Sequence, residues 1–198
     1  MDYFERIWAS VPDGAEPENF AMRRDYLLSK VAPGDRVLDV GCGDGAFTAA
    51  LAAAGARPVG VEVAAEPLRR ARARNPELAL HLLDGQDSSR LPFDRGSFDV
   101  VWAGELIEHL RDPAALVEDV RRVLAVTGRL VLSTPDHPLL LRLKLAVSRP
   151  AFDAHFDPRS DHLRFFTART LGLLLDDAGF ERPRIERRRQ TLLACAAR

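Results

Sequence analysis

The sequence predicts an open α/β fold, a mostly parallel sheet with helices on both faces, and three observations predict it. Short apolar runs rich in valine and leucine alternate with helical patterns, the signature of βαβ units. The first run, Val37-Leu-Asp-Val-Gly-Cys-Gly-Asp-Gly45, passes from a buried strand into a loop with glycine at 41, 43 and 45. An acid, Glu62, ends the next strand, about 20 residues after that loop. Glycine at alternate positions lets the backbone turn sharply and approach a ligand with no Cβ in the way, and the helix that follows offers unpaired N–H groups. Such a turn at the carboxyl end of the first strand of an open sheet is a nucleotide-type binding turn.

Taken in order, residues 1–20 carry Tyr3, Phe4, Trp8 and Phe20 around a Pro/Gly/Glu turn at Pro12 to Pro17. They read either as a packing arm or as a cap over a ligand. Phe20, Tyr26, Leu27 and Val31 recur at helical spacing, and Pro33-Gly34 ends that helix. Strand one is Arg36–Val40, followed by a helix from Ala46 to Ala54 that Gly55 closes. Strand two is Pro58–Glu62, with a helix from Ala65 to Arg74. Strand three is Leu78–Leu83, and Ser97–Trp102 is strand four. Helical pattern resumes from Leu106 and again, after Asp112-Pro113, from Ala114 to Leu124. Strand five is Gly128–Thr134, and from Pro135 to Asp161 the alternation lapses. Thr167 caps a last helix that reaches Ala178 and stops at Gly179. Ile185 and Leu192–Ala196 suggest a closing hairpin of two strands.

The 198 residues suit one domain. With 28 basic and 29 acidic side chains the net charge is −1, so no global field favours nucleic acid or an anionic membrane. Lysine occurs only at Lys30 and Lys144, which reads as genome composition rather than chemistry. Cys42 and Cys195 lie far apart, neither in a CxxC pair, so the sequence offers neither a zinc site nor a disulfide framework. The start is not a signal peptide and no apolar run reaches a membrane span, so the expectation is a cytoplasmic protein without stable membrane insertion.

The glycines fall as G-x-G-x-G, not in the dinucleotide spacing G-x-G-x-x-G, and no Gly-Lys-Ser/Thr follows. Asp39, two residues before the first glycine, suits an ammonium group and would repel a pyrophosphate. The run VLDVGCGDG resembles motif I of the class I S-adenosylmethionine-dependent methyltransferases, and the resemblance continues along nearly the whole chain. It implies a Rossmann-like, seven-stranded sheet whose last strand is antiparallel. In the cofactor loop Gly41-Cys42-Gly43, the resemblance implies close approach of Gly41 and Gly43 to the methionine part of the cofactor, with Asp39 near its amino group. Glu62 is suited to accept hydrogen bonds from the ribose hydroxyls, and Val63 would lie against the adenine face. In His81-Leu-Leu-Asp-Gly-Gln-Asp87-Ser-Ser-Arg-Leu-Pro-Phe93, counting four residues back from Leu-Pro-Phe selects Asp87 for the adenine amino group, with Ser88 as backbone donor. Asp99, in the turn into strand four, reads as structural.

After strand four comes Ala103-Gly-Glu105-Leu-Ile-Glu108-His109-Leu. A helix beginning near Gly104 would put Glu105, Glu108 and His109 on one face, a divalent-metal arrangement. His162, in Ser160-Asp-His162, would be the fourth ligand. The layout resembles two metal-using groups, the ubiquinone-pathway O-methyltransferases and the RNA 3′-terminal 2′-O-methyltransferases. Mg²⁺ or Mn²⁺ would there hold adjacent substrate oxygens and lower a hydroxyl's pKa. The same stretch also occurs among small-molecule methyltransferases with no established metal, where Glu105 would touch the cofactor edge and the histidine packs locally. Without metal, His109 or His162 is the candidate general base.

The expected organisation is therefore one domain over 1–198: an N-terminal cap and helix (1–33), a cofactor-binding core (34–134), a substrate lid insert (135–166) and a final helix with closing hairpin (167–198). His137 and His155 would reach the substrate from the lid. The lid's apolar run reads plainly as a buried helix, or more sharply as a contact with an apolar substrate or a membrane surface. The expected reaction is methyl transfer to a small-molecule acceptor, apolar or phenolic, at a hydroxyl oxygen. The alternatives are an RNA 2′-O-methyltransferase and a non-catalytic cofactor-binding regulatory subunit. Against RNA stand the balanced charge and the arrangement of Arg182, Arg184, Arg187, Arg188 and Arg189, which strand alternation would split over two faces.

Overall fold

The structure is a computed structural model and describes residues 3–83 and 90–198. Its strands are β1 (Arg36–Val40), β2 (Arg57–Glu62), β3 (Ala79–Leu82), β4 (Phe98–Gly104), β5 (Leu124–Pro135), β6 (Glu181–Arg188) and β7 (Thr191–Ala197). The helices are α1 (Tyr3–Ser10), α2 (Phe20–Leu28), α3 (Ala46–Ala53), α4 (Ala65–Arg74), α5 (Pro113–Val123), α6 (Leu139–Val147), α7 (Arg149–His155) and α8 (Ala168–Asp177), with a 3₁₀ turn at Ile107–His109.

The strands form one sheet in the order β3-β2-β1-β4-β5-β7-β6. The first five pair in parallel, and β7 runs antiparallel to both β5 and β6. This is the Rossmann-like, mostly parallel, seven-stranded sheet that the sequence implies. Both faces are covered, and the strand period shows it. Leu38 and Val40, Val101 and Ala103, and Leu130 and Leu132 bury on one face against α5 and α8. Their neighbours Val37, Val100, Trp102 and Val131 bury on the other, against α2 and α3. Strands buried on both sides read as continuous apolar runs, as these do.

Local signals act as expected at several ends. Asp112 accepts from Ala115 N–H with Pro113 at the first turn of α5, and Thr167 with Thr170 forms a capping box on α8. Asp99 is structural: its carboxylate accepts from the Arg36 backbone N–H and from the Arg36 guanidinium, which ties β4 to β1. Strand five is longer than the sequence pattern suggests, because Leu124 directly after α5 already pairs with Phe98.

The lid region departs most from expectation. Residues 135–166 contain α6 and α7, and neither helix buries a single residue, so the plain expectation of a buried lid helix is corrected. Among the described residues no helix is long and apolar enough to cross a membrane.

Candidate functional site

A cavity of about 240 Å³ opens at the carboxyl ends of β1, β2 and β4. Gly41, Glu62 and Val63 line one side, Glu105, His109 and Asp161 another, and Ile7 and Trp8 of α1 roof it.

The glycine loop is drawn toward β2, because the N–H groups of Gly41 and Cys42 both donate to the Val61 carbonyl (2.9 and 3.0 Å). Gly43 has φ +52°, a backbone region that side chains adopt rarely. A Cβ at Gly43 would meet the Trp8 ring at 2.6 Å, so glycine is required for the indole to lie there. Trp8 is itself held. Arg70 donates to the carbonyls of Trp8 (3.1 Å) and Val11 (2.7 Å), and Glu5 accepts from Ala65 and Glu66 at the start of α4. The N-terminal arm thus caps the glycine loop, which favours the capping role over simple packing.

Glu62 is buried, and its carboxylate accepts from Gly43 N–H (3.0 Å), Val63 N–H (2.8 Å) and Ala64 N–H (3.1 Å). Burial pushes its pKa up while the three donors oppose that shift. A carboxylate has about four acceptor positions, so capacity for one more donor, such as a ribose hydroxyl, remains. Asp39 lies beneath the loop outside the cavity lining, and Thr48 Oγ1 donates to its Oδ2 at 2.6 Å. Burial raises the Asp39 carboxyl to about 7, against the lowering effect of the Thr48 bond.

Cys42 does not belong to the cavity. Its side chain packs with Leu68, Ala71, Leu78 and Leu80, because the residue between two glycines of the turn faces the helix layer. Asp87 and Ser88 lie outside the described residues.

The Glu-Glu-His stretch is not a helical face. Strand β4 runs on to Gly104, Glu105 N–H bonds the Ser133 carbonyl, and Glu105 itself adopts φ +52° before the 3₁₀ turn. This break separates the two acids. Glu105 lines the cavity, with its Oε1 3.8 Å from Arg23 Nε. Glu108 turns inward to 1 % side-chain exposure, where Thr134 Oγ1 donates to Oε2 (2.9 Å) and Oε1 has no hydrogen-bond partner. Burial, reinforced by Glu105, pushes its pKa well up.

The Glu108 carbonyl accepts from Leu163 and Arg164 N–H (2.8 and 3.0 Å), and this backbone contact brings the 160–164 segment to the turn. His109 and His162 consequently meet edge to face at 4.9 Å. Glu108, His109 and His162 offer ligand atoms that all lie within 4.8 Å of one another, an arrangement able to hold a divalent cation. Glu105, expected in that set, is absent from it because Arg23 engages it instead. His109 Nδ1 lies 3.0 Å from the Asp161 carbonyl. A carbonyl only accepts, so the proton sits on Nδ1 and Nε2 carries the lone pair. Burial lowers the His109 pKa, which keeps the ring neutral near pH 7.

His137 and His155 do not line the cavity. They face each other, Nε2 to Nε2 at 3.1 Å, while His137 Nδ1 donates to the Phe166 carbonyl (3.0 Å).

Two residues of the site were not singled out by the sequence. Asp161 sits beside His162, yet nothing local shows that its carbonyl would orient His109. Arg23 is buried on α2 with its guanidinium over Phe47 (4.8 Å), and it donates to Ser133 Oγ (3.0 Å) and the Glu18 carbonyl (3.1 Å). Burial lowers its pKa, opposed by Glu105, Glu108 and Asp39. An arginine on a helix gives no hint in sequence of such a partner set.

The sequence profile of a family described as "Methyltransferase domain" matches residues 15–182. The chain is 35% identical over 144 residues to a ubiquinone biosynthesis O-methyltransferase of Xanthomonas campestris pv. campestris, covering 71% of this chain and 60% of that protein. The chain thus spans about three fifths of that relative's length. Among solved structures, a SAM dependent methyltransferase from Archaeoglobus fulgidus superposes with a TM-score of 0.74 at 16% identity, covering 100% of both chains. A phosphoethanolamine N-methyltransferase 2 of Haemonchus contortus, in complex with S-adenosyl-L-methionine, superposes at 0.71 with 20% identity, over 92% of this chain and 42% of that one. At these identities the two structures speak for the fold.

Proposed function

The chain belongs to the methyltransferase-domain family, and we propose that it transfers the methyl group of S-adenosylmethionine to a hydroxyl oxygen of a small acceptor. The observation that carries this reading is that Gly41 of the glycine loop and Glu62 line the same cavity as His109, whose Nε2 carries the lone pair.

In this reading Gly41 leaves room for the methionine part of the cofactor, Gly43 leaves room for the Trp8 ring that caps the loop, and Asp39 carries the charge that favours the cofactor's ammonium group. Glu62 accepts from the ribose, and Val63 covers the adenine, with Asp87 and Ser88 proposed at its far edge. Glu105 borders the cofactor on the acceptor side. Bound S-adenosylmethionine supplies a methyl group on a cationic sulfur, which is electrophilic without further activation. His109 Nε2 would take the proton of the acceptor hydroxyl as its oxygen bonds the methyl carbon and that carbon leaves the sulfur, which departs as the neutral thioether, and Asp161 would hold the ring for that transfer. Trp8 and the rest of α1 exclude water from the reacting groups.

A second reading rests on the partnerless Glu108 Oε1. Glu108, His109 and His162 would hold Mg²⁺ or Mn²⁺, which would bind the acceptor oxygen and lower its pKa in place of a protein base. The name of the Xanthomonas relative supports an oxygen acceptor in either case. An RNA acceptor finds little support. The arginines from 182 to 188 lie along β6, the outer edge strand, three places from β4 in the sheet, and Arg189 lies in the turn after it.

Calorimetric titration with S-adenosylhomocysteine, after chelation and with Mn²⁺ restored, tests the proposal. Binding is expected in both conditions, and its absence from both would overturn the assignment. A separate Mn²⁺ isotherm that Glu108→Gln and His162→Ala abolish would establish the metal reading. The same titration without any Mn²⁺ signal would leave His109 as the base.

A further inference from the structure

We infer that the pocket between the end of α2 and the strands β5, β7 and β6 binds a small polyphosphate anion, at a site separate from the cofactor cavity. This second cavity has a volume of about 400 Å³ and shares no lining residue with the first. It also lies at the other end of the strands. Arg129, in its lining, pairs with Val100 early in β4, whereas the cofactor cavity opens beyond Gly104, which pairs with Ser133. Helix α2 stops at Leu28 and leaves this part of the sheet open: Arg184 and Ala197 are exposed, and Cys195 is half-buried.

Four cations from three parts of the chain line the pocket: Lys30 after α2, Arg129 on β5, and Arg182 and Arg184 on β6. None of them has an acidic partner among the described residues. Elsewhere arginines are engaged: Arg36 holds Asp99, Arg74 holds Asp44 and Arg122 holds Asp119. Of the two acids in the lining, Glu186 is already held by Arg188 (2.5 Å), so Glu181 alone faces four cations. Arg187, on the opposite face of β6, meets Asp136 instead (3.3 Å).

The cations are also placed. Lys30 Nζ stands 5.0 Å from the centre of the Tyr26 ring. Arg182 adopts φ +50° where the register of β6 against β7 slips between Glu181 and Arg184. Such a backbone is strained for a residue with a side chain, and a bulge at a sheet edge re-aims the side chains around it. The Cys195 thiol marks where the charges converge. Burial raises its pKa, while Lys30, Arg129 and Arg184 all oppose that shift.

Charge and shape select the occupant. Gathered cations repel one another until an anion joins them. Three guanidinium groups, each able to grip two oxygens, and one ammonium exceed what a single phosphate group can satisfy. Two or three linked phosphates supply the charge and the oxygens. A nucleic-acid backbone would call for a basic stripe, and here the unpaired cations share one pocket.

The test is calorimetric titration of the full chain with inorganic tripolyphosphate at about 0.05 M salt, without divalent ions. One site is expected, its affinity falling at least tenfold at about 0.5 M salt. Arg182→Gln with Arg184→Gln should weaken binding at least tenfold. Arg142→Gln with Arg149→Gln removes the same charge from exposed positions on α6 and α7 and should leave binding unchanged. Far-UV circular dichroism of both pairs should match the parent chain, which shows the fold intact. Tripolyphosphate should also slow alkylation of Cys195 by neutral iodoacetamide several-fold, read by mass on the peptide that carries it. Absence of binding would overturn the inference, and so would equal weakening by the two pairs, since the attraction would then be diffuse. Binding that leaves Cys195 unprotected would put the anion elsewhere. A single-stranded RNA oligonucleotide that displaces tripolyphosphate at far lower concentration would assign the pocket to nucleic acid instead.

Discussion

Trp8 occupies the space that a side chain on Gly43 would need, its ring 2.6 Å from where a Cβ would stand. The aromatic arm and the glycine loop are therefore one device, although 35 positions separate the two residues. The protein's two tryptophans make this measurable, because Trp102 is fully buried against Phe47 and only Trp8 meets the cavity. S-adenosylhomocysteine should change the tryptophan emission, and Trp8→Phe should remove that change while calorimetry still detects binding. Gly43→Ala, forced into φ +52° against the ring, should weaken binding at least tenfold, about 1.4 kcal/mol.

In the proposed reading Asp39 would couple cofactor binding to pH. Its folded pKa, about 7, stands above the ordinary aspartate value because of burial, so the folded chain holds a proton that the unfolded chain has lost. The stability this contributes is present in full below about pH 4 and is lost as pH rises through about 7. Asp39→Asn should flatten the pH dependence of Tm over that window. An ammonium group near Asp39 would expel the proton. The calorimetric enthalpy of cofactor binding should then depend on buffer near pH 6.5, not at pH 9, and lose that dependence in Asp39→Asn.

Arg23 answers two acids, the buried Glu108 and the half-buried Glu105. Removing it as Arg23→Ala leaves Glu105 and Glu108 without their cation, a loss of about 3 kcal/mol and a Tm lower by roughly 6–12 °C. Adding Glu105→Gln should recover part of that loss, because the two changes are coupled. Strict additivity of the two variants in denaturant melts would show that the pair does not interact.

The His137–His155 contact should make α7 sensitive to acid. His137 carries its proton on Nδ1, toward the Phe166 carbonyl, so its Nε2 accepts from His155 Nε2–H. Phe156 and Phe165 pack around His155, and burial together with His137 and His162 lowers its pKa. A lowered histidine pKa contributes stability that is complete above about 6.5 and is lost as pH falls below it. Amides of 149–156 should exchange faster at pH 5.5 than the intrinsic rates predict. His155→Phe should remove that pH dependence while keeping the ring cluster.

Much of this was legible in the chain. The strands from Arg36 to Thr134 announce themselves by period, Thr167 and Gly179 mark the last helix, and the loop from Gly41 to Gly45 with Glu62 points to the cofactor side. The stretch from Glu105 to His109 was legible in composition but not in shape. Its residues carry good helical spacing, yet the hydrogen bond of Glu105 N–H to Ser133 on β5 extends the strand past the point where a helix could begin. Cys42 was misleading for a related reason, since position in a loop does not say which way a side chain turns.

What the sequence by itself determined are the features written between near neighbours: which segments are strands, where helices stop, and where the glycine turn after β1 falls. Tertiary structure alone decided who meets whom. His109 finds the Asp161 carbonyl 52 positions away, and Arg23 finds Ser133 across 110. The physical reason is that a strand's period or a glycine's freedom belongs to the local chain. A long-range contact exists only once the sheet order has placed the ends of β4 and β5 side by side and the backbone of 160–164 has bonded to Glu108.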